Sequence, residues 1–138
     1  MDVHLPFQSG QGFEGVLGLE FTELSDEVVR GHVPVQDQLK QPYGLIHGGV
    51  YAAIAESLAS WGTATGVMAE GKIAVGLSNQ TSFLRPVTEG AITAMATRIH
   101  RGRTTWVWDV EAHDDAGRLC AITRMTIAVR EGPDAPAR

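Results

Sequence analysis

The sequence predicts an α+β domain in which one antiparallel sheet of five to six strands wraps around a single long central helix. Three observations point there. A segment starting at His47 has helical period, is apolar or small on nearly every side, and meets no proline before Pro86. Two β-like runs precede it and four follow, so the sheet can cover the helix and the helix gives the sheet an apolar partner. At 138 residues the chain can bury one such core and is too short for two, which makes residues 1–138 a single domain.

Residues 1–14 are polar and Gly-rich without a period, and residues 131–138 hold Pro133 and Pro136, so both ends are expected to be loosely ordered termini. Leu17 to Leu24 reads as a strand, with Leu19 and Phe21 on one face and Glu20 and Thr22 on the other. Val28 to Val35 is its antiparallel partner across the Ser25-Asp26-Glu27 turn, and residues 36–46, with Pro42 and Gly44, are a loop. Val50, Ala53, Ile54, Leu58, Trp61 and Ala64 then recur at helical spacing, predicting about five turns that end near Gly66 or Gly71. The later strands are Ile73 to Arg85, Ala91 to Ile99, Thr104 to Ala112 and Arg118 to Val129. In the third of these, Trp106, Trp108, Val110 and Ala112 share one face, while Thr105, Val107, Asp109 and Glu111 share a more polar one.

Composition excludes several function classes. Apolar residues at 43% and charged residues at 20% are those of a globular chain. Eleven Lys and Arg against sixteen Asp and Glu, a formal charge of −5, lack the basic footprint of a nucleic-acid binder. Between Gly48 and Ala69 the only charged residue is Glu56, but the glycines, serines and threonines there are too polar for a bilayer, so no membrane partner is expected. The single Cys120 cannot form an internal disulfide and reads as a small buried hydrophobe; no charged and then apolar leader opens the chain, and a cytoplasmic location follows as the expectation. The histidines at 4, 32, 47, 100 and 113 have no paired ligand spacing, so neither a metal nor a cofactor is expected.

Two features of the helix carry chemistry. Glu56 lies near its middle among Ile54, Ala55, Leu58 and Ala59. It is either a desolvated carboxylate, which costs stability, or part of a solvent-facing polar stripe with Ser60 and Thr63. At the helix start, His47-Gly48-Gly49 leaves first-turn N–H groups without side-chain cover, where with the helix dipole they can face an oxygen that gains negative charge. The same glycines would also serve close packing of the first turn.

The run from Gln41 to Ser60 closely resembles hotdog-fold acyl-CoA thioesterases of the PaaI-like superfamily. It is most similar to the branch of the Arthrobacter-type 4-hydroxybenzoyl-CoA, 1,4-dihydroxy-2-naphthoyl-CoA and enterobactin-pathway proofreading thioesterases. That branch has a Gln, a His-Gly pair, a helical Glu and a Ser or Thr one turn later, here Gln41, His47 with Gly48, Glu56 and Ser60. Glu at 56, where phenylacetate-pathway thioesterases carry Asp, favours the first branch, and the likeness extends over about residues 15–130. The resemblance implies that the Gly48 N–H polarises a thioester carbonyl while Glu56 attacks it or activates a water. Gln41 and His47 would orient the thioester, and Ser60 would position the water or the carboxylate.

Gly48 and Glu56 are eight residues apart, about 12 Å along a helix axis. One carbonyl cannot reach both, so if both act on the same thioester two chains must contribute, in agreement with the two-fold dimer interface of the resembling enzymes. A homodimer, and beyond it a dimer of dimers, is therefore expected, with the Trp-rich strand and the small-residue helix as association surfaces. Arg98, Arg101 and Arg103 cluster with His100, and no acid appears between Gly90 and Asp109. This patch could hold CoA phosphates, with Arg103 the closest match to the resembling enzymes, Arg101 beside it and Arg85 a weaker candidate. Tyr51, Trp61, Phe83 and Met68 could line an acyl pocket or be core. The expected function is hydrolysis of an aromatic or medium-chain acyl-CoA, with CoA entering as part of the substrate. The alternatives are a hotdog-fold hydratase or dehydratase and a non-catalytic acyl-CoA binding module.

Overall fold

The computed structural model describes residues 11–133. They form α1 (Gly12–Leu17), β1 (Glu20–Leu24), β2 (Val28–Pro34), α2 (Gly48–Val67), β3 (Lys72–Phe83), β4 (Ala91–Arg101), β5 (Thr105–His113) and β6 (Leu119–Glu131), with 3₁₀ turns at Asp37–Leu39 and Met68–Glu70. The strands make one six-stranded sheet in the order β1-β2-β4-β5-β6-β3, every neighbouring pair antiparallel. No helix among the described residues is long and apolar enough to cross a membrane.

The helix lies on the sheet because its buried side is built to fit large indoles. Ile54, Leu58, Ala59 and Thr63 of α2 are fully buried together with Val29, Ile92, Trp106, Trp108, Met125 and Ile127 of the strands. Gly62 lets the helix approach Trp108 closely, since a Cβ there would stand 2.4 Å from the indole. Thr63 Oγ1 donates to the Ala59 carbonyl at 2.9 Å and accepts the Trp108 indole N–H at 2.9 Å, so both buried polar groups are satisfied. The helix gives way to a 3₁₀ turn that closes on Gly71, whose φ of 72° is the left-handed conformation glycine adopts without strain.

Four expectations change. Residues 12–17 are helix rather than loop and strand, and β1 starts only at Glu20. Gly18 in the left-handed conformation ends that short helix, Leu17 is buried, and Glu14 accepts the Trp61 indole N–H at 3.0 Å, which docks it on α2. The other residues expected to be loose, 1–10 and 134–138, lie outside the described residues. Second, the sheet wraps α2 without covering it on every side: Gly49 and Glu56 are exposed and Ala52, Ala53 and Ser60 half-buried. Third, the apolar face of the Trp-rich strand is not free for association, because β5 sits between β4 and β6 and Trp106 and Trp108 are buried in the core. Fourth, the polar stripe does not include Thr63, which faces Trp108 instead.

Strand β3 is an edge strand that runs back along α2, and its register holds a feature that places the site. Gly76 pairs with Ile127 and Ser78 with Thr126, so Leu77 is an extra, bulged residue. A bulge reverses the alternation of faces. Before it, Gly76 lies against α2; after it, Asn79 and Phe83 do so, Asn79 Nδ2 donating to the Ala52 carbonyl at 2.8 Å.

Candidate active site

The loop before α2 is pinned at both ends. Lys40 bridges Ile46, the His47 N–H donates to the Leu39 carbonyl at 2.9 Å, and the Ile46 N–H donates to Val87 at 2.8 Å. Within it the Gln41 side-chain oxygen accepts the Tyr43 N–H, and the Gln41 N–H donates to the Leu45 carbonyl at 2.8 Å. Gln41 is thereby fixed half-buried just ahead of the helix.

His47 is the N-cap. Its Nδ1 accepts the Gly49 N–H at 2.8 Å, and its carbonyl accepts the Val50 N–H at 3.0 Å. An accepting Nδ1 puts the proton of the neutral ring on Nε2, which leaves that N–H available as a donor. The Gly48 N–H has no partner among the described residues. An unpaired amide at the positive end of a five-turn helix is suited to an oxygen that gains negative charge. The Phe83 ring packs beside the Gly48 Cα, close enough that a Cβ there would come within 2.9 Å of two ring atoms.

Glu56 projects from the exposed side of α2 toward β3 and has no hydrogen-bond or ion-pair partner among the described residues. Its Oε1 lies so near the strand that a Cβ built on Gly76 would stand 2.8 Å away. Ser60, half-buried, is one turn further along the same helix. Glu56 and Gly48 therefore both abut the edge strand, at different heights.

The cationic end divides. Asp26, from the β1–β2 turn, reaches the arginines that looked free of acids in sequence. Arg101 donates to its Oδ2 at 2.9 Å, and Arg98 donates to its carbonyl at 2.6 Å. Arg101 also donates to the Gly66 carbonyl at 3.3 Å, and both guanidiniums stack on Trp106, at 5.2 Å and 4.6 Å from the ring centre. Arg101 therefore ties the end of α2 to the sheet, and Arg98 holds the β1–β2 turn against it. Arg103 at the tip of the β4–β5 turn and Arg85 after β3 are exposed and have no acidic partner among the described residues.

The four apolar candidates separate too. Tyr51 and Phe83 are neighbours, with ring centres 6.2 Å apart. Tyr51 is buried, its hydroxyl has no partner among the described residues, and burial, with smaller contributions from Cys120 and Asp114, pushes its phenol up to about 12. Trp61 is held by Glu14, and Met68 lies beyond the last turn of α2, about 30 Å along the axis from Gly48. Cys120 is fully buried. Sequence reasoning missed Gly76 and Asn79, although a lone glycine inside a strand pattern is a signal for a bulge or a close approach.

Comparison with known proteins shows what the chain is similar to. The Thioesterase superfamily model matches residues 43–121, which include His47, Gly48, Glu56 and Ser60. The proofreading thioesterase EntH of Cronobacter turicensis is 35% identical over 115 residues, 82% of each chain. A thioesterase of Pseudomonas aeruginosa, solved with an alanine in place of a glutamine, superposes with a TM-score of 0.80 at 38% identity, covering 84% of both chains. A thioesterase of Staphylococcus aureus superposes at 0.81 with 31% identity, covering 84% of this chain and 96% of that one. Structures of that protein exist with a glutamine and, fifteen positions later, a glutamate replaced by alanine, which is the spacing of Gln41 and Glu56. With its six-stranded antiparallel sheet on one long helix and these relatives over most of its length, the chain is a hotdog-fold hydrolase and belongs to the thioesterase superfamily.

Proposed function

We propose that the protein hydrolyses an aromatic or medium-chain acyl-CoA to the free acid and CoA, as a homodimer whose two active sites each draw on both chains. The observation that carries this reading is one pair on one uninterrupted helix, the unpartnered Gly48 amide and the unpartnered Glu56 carboxylate. Both face the open edge at β3, yet they stand about 12 Å apart along the axis, too far to serve one carbonyl. A twelve-residue edge strand exposing Ile73, Val75 and Leu77 is a liability unless covered, and antiparallel pairing of β3 with a second copy across a two-fold axis covers it. The same operation brings Glu56 of one chain toward Gly48 of the other. Dimers of this kind then pair into a dimer of dimers.

In this reading the Gly48 amide of one chain takes the thioester oxygen, stabilising the charge that develops as the carbonyl becomes tetrahedral. His47 and Gln41 of that chain orient the thioester. Glu56 of the other chain either attacks the carbonyl carbon or takes a proton from the attacking water, with Ser60 holding that water or the carboxylate. The C–O bond forms, the C–S bond breaks, and the CoA thiolate leaves and is protonated; where Glu56 is the attacking group, water then cleaves the resulting anhydride to the free acid and restores the carboxylate. Phe83, beside Tyr51, walls the acyl group, and Arg103, with Arg85, takes CoA phosphates. The chemistry calls for no metal and no cofactor, and a cytoplasmic setting supplies the substrate.

Free-thiol release from benzoyl-, hexanoyl- and decanoyl-CoA tests this directly. Thiol release with at least one of them is expected; a binding module releases none, and a hydratase changes only the ultraviolet absorbance of an enoyl group. In the same assay Arg103→Ala should raise KM for CoA thioesters about tenfold with kcat nearly unchanged, since a phosphate contact far from the carbonyl is uniform binding. Thioesters of a truncated thiol without the nucleotide should not register the change. Equal losses on both would make Arg103 a structural residue. A single turnover in ¹⁸O-water that labels Glu56 itself would identify it as the nucleophile.

A further inference from the structure

We propose that Gly76, set by the β-bulge at Leu77, is a positioning residue that seats the Glu56 carboxylate for reaction; this rests on the reading of Glu56 as the acting group. No hydrogen bond or ion pair among the described residues holds Glu56, so its place has to come from what it packs against. That surface is the backbone of Gly76. A Cβ there would stand 2.8 Å from Oε1, 3.4 Å from Cδ and 3.7 Å from Cγ of Glu56, so the outer half of the side chain lies against the strand at Gly76.

Backbone conformation does not explain the glycine, because Gly76 is not among the positive-φ residues. An unneeded glycine in a strand weakens it, so the space itself is the function here. The bulge makes the seat rigid. It lets Gly76 face α2 and then turns Asn79 to the same side, where its side chain donates to the Ala52 carbonyl at 2.8 Å. Ala52 is one turn before Glu56, so strand and helix are bonded beside the carboxylate. Asn79 is in turn fixed through Thr81 Oγ1, which donates to its Oδ1 at 2.7 Å and lies 2.9 Å from Thr123 Oγ1 on β6. Were Leu77 paired in regular alternation instead of bulged, Ser78 would face the helix and Asn79 would face away.

The test is a double-mutant cycle between Gly76→Ala and Glu56→Asp in the full-length protein, with Glu56→Ala as reference. It uses thiol release from the faster of benzoyl-CoA and hexanoyl-CoA, with thermal unfolding in parallel. Gly76→Ala should lower kcat at least tenfold while KM stays within about twofold and the melting temperature does not fall, because alanine is no worse than glycine in a strand. Glu56→Asp alone should also be slow. Combined, the shorter carboxylate clears the new methyl, so the double variant should be no slower than Gly76→Ala. Wild-type kcat in Gly76→Ala, with Glu56→Ala inactive, overturns the seat but leaves the proposed function standing. Losses that multiply in the double variant also overturn it, by making Gly76 a support of the strand rather than of Glu56. An active Glu56→Ala overturns both readings, which separates the two failures.

Discussion

Glu56→Ala should lower kcat on the best acyl-CoA by about 10²- to 10⁴-fold, the range for loss of a general base or nucleophile acting at the carbonyl, and leave the protein folded. The fold should survive because Glu56 is exposed, has no partner among the described residues, and gives way to the residue that most favours helix. Thiol-release kinetics alongside a thermal melt measures both halves of this expectation. A normal melt with kcat within threefold of wild type would remove Glu56 from the mechanism. KM should move little, since the carboxylate acts on the reacting carbon and not on the nucleotide.

Gly62→Val carries the largest expected effect on stability. A Cβ at this position would already stand 2.4 Å and 2.7 Å from two atoms of the Trp108 indole and 2.9 Å from Val29, and valine adds two methyl groups beyond it. The indole cannot swing aside without breaking its bond to Thr63, which would leave buried polar groups unpaired. Overpacking of this kind costs about 3 kcal/mol or more, offset only slightly by the better helix propensity of valine. The melting temperature should fall by roughly 10 °C in a domain of this size. A fall of less than 2 °C would mean that the helix can lift from the sheet, and that the Trp108–Thr63 contact does not fix its height.

Much of this was legible in the sequence because it is local. The helix showed itself through its period and its terminal glycines, and the alternation in Trp106-Val107-Trp108-Asp109 identified the buried face of β5 correctly. What could not be read depends on residues far apart in the chain. Asp26 pairs with Arg101 across 75 positions, so a stretch without acids in sequence is not without acids in space. The place of β5 in the middle of the sheet follows from strand order, which no single strand encodes, and it commits the apolar Trp face of β5 to the core. At the candidate site, Gln41, His47, Gly48, Glu56 and Ser60 were named from the sequence, while the strand that Gly48 and Glu56 abut was not. The bulge at Leu77 adds one residue, and everything after it in β3 changes face, including Asn79 and Phe83. Short helix α1 was missed for another reason: six residues are too few to show a period, and it is held by Glu14 reaching Trp61.

Complementation between two inactive variants tests the shared site most directly. Glu56→Ala and Gln41→Ala proteins, each nearly inactive, are unfolded together and refolded, with mixed dimers verified by mass spectrometry. If Glu56 of one chain works with Gln41 and Gly48 of the other, a mixed dimer has one site with both defects and one with neither. Random pairing makes half of the dimers mixed, so activity should return to roughly one quarter of wild type under two-fold symmetry. No recovery, with mixed dimers present, would contradict this: each site would then be built within one chain, and the roughly 12 Å between Gly48 and Glu56 along α2 would have to be spanned by the substrate alone.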